Sequence, residues 1–162
     1  MAGEIPERVD AETQSRLEHV ASAVRDELAA AGLEVVAPGL APDLAAGAEV
    51  EVDLMNDTAG GVFIHWRVSP RLRTCAINAL RHKRTDDPAL SHNGAVQAAM
   101  AKAVSLILTS AGFSVDDADD EYRTFGLKVT AGPGEGIRPS WAIRDDELTL
   151  PGWATQNHAD QD

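Results

Sequence analysis

Cysteine occurs once in this 162-residue chain, tyrosine once, and aromatic residues make up 4% of it. A lone Cys75 closes no intramolecular disulfide, which excludes a disulfide scaffold, a CxxC redox pair and a cysteine zinc site. Long apolar runs are missing too. The strongest, Ala95 to Leu108, is broken by Gln97, Lys102 and Ser105, and it falls short of the roughly 20 apolar residues that span a bilayer. The opening MAGEIPERVD is acidic and mixed, with no secretory h-region, so the expected setting is a reducing cytoplasm, with no membrane partner. Basic residues are scarce, 14 against 26 acidic ones, for a formal charge of −12 and a pI near 4.7. Such a chain repels phosphate backbones unless its cations are gathered in one place.

They are gathered. From Arg67 to Arg84 there are six basic side chains and no acidic one. The rest of the composition is ordinary for a globular protein: 44% hydrophobic, 25% charged and a mean hydropathy of −0.19. A chain of this size buries roughly 70% of its unfolded surface, enough for one core without metal or disulfide.

The pattern of residues predicts α+β structure. Leu17, Val20, Val24, Leu28 and Ala31 recur at spacings of three and four, giving a helix from Glu7 or Ala11 to Ala31, with Gly32 just past its end. Leu33 to Val36 is a short strand. Glu49–Leu54 and Val62–Val68 alternate strictly around NDTAGG, which is a hairpin with one buried face. Val50, Val52, Leu54, Val62, Ile64, Trp66 and Val68 point inward, and Glu49, Glu51 and Asp53 share the outer face with Phe63, His65 and Arg67.

Ser69-Pro70 opens a second helix, expected to end near Arg84 with Leu72, Cys75, Ala76, Ala79 and Leu80 on its apolar stripe and Cys75 buried and inert. TDDPALSHNG reads as a turn. Ala95–Ala111 reads as a third helix, so poor in charge that a central position is expected. Phe113–Val115 and Tyr122–Thr130 form another strand pair. The fold class is therefore two-layer α+β over residues 7–130, in the order α-βββ-αα-ββ, with helices on one face of a mainly antiparallel sheet of four to five strands. From 131 to 162 a Gly/Pro linker precedes a tail in which Trp141, Ile143, Leu148, Leu150 and Trp153 are too apolar to stay fully solvated. Part of Trp141–Trp153 is expected to dock on the domain or a second subunit and to compete with a partner.

Motifs for chemistry are absent. Gly60-Gly61 and the GPGEG run match neither GxGxxG nor a GK[ST] loop, so no phosphate cradle is built. The acidic run Asp116, Asp117, Asp119, Asp120, Glu121 lacks the spacing and mid-loop glycine of an EF-hand. No cofactor and no metal is expected. His65 should lie opposite Glu51 or Asp53, the geometry of a carboxylate-oriented base, but no nucleophile is placed beside it. Arg73, Ile77, Arg81 and Arg84 follow one flank of the second helix. The turn of about eight residues and the apolar third helix argue against a DNA-reading helix-turn-helix, and a site for an acidic peptide fits better. The candidate binding residues are Glu49, Glu51, Asp53, Phe63, His65, Arg67, Arg73 and Arg81, with no catalytic residue assigned.

In element order, size and acidity, residues 7–130 resemble the peptide-binding fold shared by type III secretion chaperones and YbjN-type proteins, with two middle helices where the simplest members have one. The resemblance implies a dimer or adaptor that binds an extended partner segment and performs no chemistry. Expected partners are thus a protein or peptide, with a homodimer possible and no nucleic acid. Two alternatives stay open: an immunity protein or antitoxin that occludes a basic partner, and a small enzyme using His65 with Asp53 or Glu51.

Overall fold

The computed structural model describes residues 7–37, 39–56, 60–118 and 121–148. Helix α1, Ala11–Ala30, starts where the Asp10 side chain accepts a hydrogen bond from the Thr13 N–H at 2.8 Å. That backbone hydrogen bond holds the Asp10 carboxyl below its ordinary value. The helix stops at Gly32, whose φ of 82° lets the Leu33 N–H reach back to the Leu28 carbonyl at 3.0 Å.

After β1 (Val35–Val36) come β2 (Gly47–Asp53) and β3 (Gly61–Arg67), which form the expected hairpin. Helices α2 (Pro70–Arg81) and α3 (Pro88–Ser110) follow, then β4 (Ser114–Asp117), a 3₁₀ turn at Glu121–Arg123 and β5 (Leu127–Ala131). The five strands lie in the order β1-β2-β3-β5-β4, antiparallel except for the β1-β2 pair. Close approach of β1 needs Gly47: at its φ of 132° a Cβ would sit 2.4 Å from the Glu34 carbonyl oxygen. Beyond the end of β1, Arg25 from α1 donates to the Val50 carbonyl at 3.0 Å and so covers part of the open edge of β2.

Alternation assigns the inner sheet face. Ala48, Val50, Val62, Ile64, Leu127 and Val129 are buried beneath Ala21, Val24 and Leu28 of α1 and Val104 and Leu108 of α3. Each fully buried side chain of the Val and Leu class contributes about 1.5–3 kcal/mol. Trp66, expected inside, is half-buried against this core. The architecture is the α+β two-layer fold with helices on the sheet that the element order predicts.

The middle helices correct the sequence reading. TDDPALSHNG is not a turn: Asp87 caps α3 by accepting from the Ala89 N–H at 3.0 Å, and Pro88 takes the first helical position. Helix α2 stops at Arg81 rather than near Arg84, so the connection is residues 82–87, shorter than expected. Helix α3 is less central than its composition suggests. Val104 and Leu108 are buried, but Ala95, Ala98 and Lys102 face solvent and Leu106 is 63% exposed.

The buried stripe of α2 is Ala76 and Ala79, while Leu80 and Cys75 are exposed. Two helices approach more closely over alanine than over leucine; Leu80 and Cys75 turn outward, while Leu72 and Ile77 are half-buried. Cys75 is therefore expected to react with a thiol reagent in the folded state at the rate of a free thiol. Native labelling with dithionitrobenzoate checks this, and protection until unfolding would return Cys75 to the interior.

Candidate functional site

The hairpin register pairs Glu49 with His65, Glu51 with Phe63 and Asp53 with Gly61. His65 thus faces Glu49 rather than the Glu51 or Asp53 expected, and Glu49 is already engaged. Both of its carboxylate oxygens accept from the Arg67 guanidinium, Oε2 from Nε at 2.7 Å and Oε1 from Nη2. Arg67 Nη1 also donates to the Leu40 carbonyl at 2.7 Å, which ties the β1-β2 connection to β3. Those hydrogen bonds hold the Glu49 carboxyl below its ordinary value and Arg67 above its own, with the positive fields of Arg67 and His65 adding to the effect on Glu49.

The neighbouring part of the same face is organised by a residue the sequence reading did not single out. Arg123, carried by the 3₁₀ turn, lies 4.0 Å from the Phe63 ring centroid, 3.2 Å from Asp53 Oδ2 and 3.5 Å from Glu51 Oε1. Lys128 of β5 approaches the same ring at 5.3 Å. With two cations against its ring, Phe63 is nearly inaccessible, at 3% exposure, although it is on the outer side of the sheet. Asp53 and Phe63 are therefore engaged within the fold by Arg123, with Glu51 at its more exposed edge. Finding Arg123 requires knowing that β5 lies beside β3, and nothing local in DDADDEYR announces that.

The remaining expected residues separate. Glu49, His65, Arg67 and Arg73 line one cleft of about 410 Å³ where the end of β3 meets α2 and α3. Its other walls are apolar or amide: Trp66, Ile77, Leu80 and Leu90, with Asn93 and Gln97. Arg81 is exposed in the last turn of α2 and lies outside the cleft, and Arg84 is paired with Asp87 at 3.3 Å. Positions 73, 76, 77 and 80 share a face of α2, and 90, 93 and 97 share a face of α3.

Chemically this arrangement suits binding. Both Glu49 oxygens accept from Arg67, no hydrogen bond joins His65 to Glu49 among the described residues, and the cleft lining includes no serine, threonine or cysteine. Among the described residues no group of three His, Cys, Asp or Glu side chains is placed to hold a metal ion. Asp116 and Asp117 are exposed, and Asp119 and Asp120 lie outside the described residues.

A larger cleft of about 820 Å³ lies between α1 and residues 132–141, with Val20, Phe113 and Trp141 among its walls. Trp141 is 49% exposed there, while Ile143 and Leu148 are 61% and 66% exposed. Leu150 and Trp153, the other apolar residues of the tail, lie outside the described residues. Among the described residues no helix is long and apolar enough to cross a membrane.

No family model, no curated protein and no solved structure matches this chain.

Proposed function

We propose that this chain is a non-enzymatic protein- or peptide-binding module, chaperone-like in the manner of type III secretion chaperones and YbjN-type proteins, whose binding surface is the cleft between β3, α2 and α3. One observation carries the reading. Four residues expected to bind a partner, Glu49, His65, Arg67 and Arg73, line one concave surface whose other walls are apolar or amide. A concave, mostly apolar site with a few polar groups is what recognition of a side chain or short segment requires. An exposed free thiol at Cys75 suits the reducing cytoplasm that the reading assumes. The homodimer implied by the resemblance is part of the proposal, and sedimentation equilibrium showing only monomer would remove it.

Selection of a displayed random-peptide library on the folded protein tests the binding surface. Arg73 is half-buried and Leu80 exposed, so the double variant Arg73→Glu, Leu80→Glu is expected to fold, with its unfolding free energy within about 1 kcal/mol of wild type. Selected peptides are expected to lose at least about tenfold in affinity on that variant, a difference of about 1.4 kcal/mol. No enrichment, or peptides that bind both proteins equally, would place the function elsewhere.

A further inference from the structure

The run from Arg67 to Arg84 holds six of the chain's 14 Lys and Arg side chains and no acidic one, and its members have different fates. Arg67 is committed to Glu49 and the Leu40 carbonyl, and Arg84 to Asp87. Arg71, Arg81 and Lys83 are exposed to water, which screens them. Arg73 is the exception. It is half-buried in the cleft wall, and its guanidinium makes no hydrogen bond or ion pair among the described residues.

A guanidinium drawn partly out of water without a partner favours a carboxylate that fits its planar fork, and the acid in the same cleft, Glu49, is already taken by Arg67. His65 lines the same space and adds a second donor. Leu80 is two turns further along α2, roughly 10 Å from Arg73 by helical rise, with Ile77 between them and Leu90 on the facing helix. Extended chain covers that distance in about three residues. Asn93 and Gln97 stand one turn apart on the α3 wall, and each side-chain amide both donates and accepts, which suits the main chain of an extended segment.

From this spacing we infer that the cleft recognises an extended acidic peptide segment in which a carboxylate meets Arg73 and an apolar side chain, about three residues away, packs against Ile77, Leu80 and Leu90. The inference rests on the proposed peptide-binding reading and adds the chemical class of the partner. The basic character of the site within a chain of net charge −12 also makes the recognition selective. An acidic segment is repelled by the rest of the surface and attracted here.

Fluorescence anisotropy with short labelled peptides tests it. The probes are a peptide with a glutamate and a leucine at that spacing, its glutamine analogue, and an analogue with the leucine moved beside the glutamate. On the wild type the first is expected to bind at least about tenfold more tightly than either analogue. Arg73→Gln is expected to abolish the preference for glutamate, and Arg73→Lys, which keeps the charge without the fork, to restore part of it. Equal binding of glutamate and glutamine peptides, discrimination that survives Arg73→Gln, or no binding of any probe would overturn the inference. Neutral peptides that bind the wild type and are lost on Leu80→Glu would remove the carboxylate while leaving the peptide-binding reading in place.

Discussion

Leu108→Ala is expected to lower the unfolding free energy by about 3–5 kcal/mol. Leu108 is 0% exposed and belongs to the cluster in which α3 meets the sheet. Its carbonyl also accepts from the Phe113 N–H at 3.0 Å, so the residue anchors both the core and the exit of α3. The space left behind has little chance to collapse, because Leu28, Val62 and Val104 around the core are themselves fully buried. Trp66→Ala is expected to cost less, about 1–3 kcal/mol, since the indole is half-buried and lines the cleft. Urea denaturation of both variants checks the order. A larger loss at Trp66 than at Leu108 would mean that the core centres on the hairpin end rather than on the packing of α3.

What was legible in the sequence follows from how local each signal is. In β2 and β3 the period of two reports one face turned to the core, so the alternation by itself points Val50, Val62 and Ile64 inward, with Val52 and Trp66 half-buried toward the ends. The similar endings Ala-Gly-Leu at 31–33 and Ala-Gly-Phe at 111–113 are equally local. In each, glycine at positive φ turns the chain so that the next apolar residue bonds back to the leucine five residues earlier. Helix α2 ends the same way with Lys83 at a φ of 53°, and without a glycine there the sequence carries no stop signal before Arg84.

Other features depend on contacts distant in sequence. Spacing puts Leu72, Cys75, Ala76, Ala79 and Leu80 on one apolar stripe of α2, but packing against α3 buries only Ala76 and Ala79 of these and leaves Cys75 and Leu80 exposed. The start of α3 was hidden by Asp, Asn and Gly in what looked like a turn. Gly94 alone costs about 1 kcal/mol in a helix relative to alanine, a cost that the packing of α2 on α3 offsets. The candidate site divides along the same line. Residues of the hairpin were identified by alternation, whereas Arg123 over Phe63, and Leu90, Asn93 and Gln97 in the cleft, needed the sheet order and the true length of α3.

Breaking the Arg67–Glu49 pair is expected to destabilise the fold itself. Read from the sequence as exposed charges, this pair would contribute about 0–1 kcal/mol and tolerate reversal without unfolding. In the fold the Arg67 side chain is only 11% exposed and that of Glu49 27%, and the guanidinium also holds the Leu40 carbonyl. Arg67→Ala leaves a partly buried carboxylate and a loop carbonyl without their donor, at an expected cost of about 2–4 kcal/mol. Glu49→Gln keeps an acceptor and is expected to cost about 1–2 kcal/mol.

Acid separates the electrostatic part from the packing. Because the folded Glu49 carboxyl is held below its ordinary value of 4.5, its contribution is fully present above that value. It is lost as pH falls through the lower folded one. The stability gap between wild type and Glu49→Gln, measured by urea denaturation, is expected to stay constant from pH 7 to about 5 and to shrink below that. A gap that is the same at pH 7 and pH 3 would show that the charge of Glu49 is not what Arg67 stabilises. The hairpin end would then be held by the Leu40 contact and the aliphatic stem of Arg67.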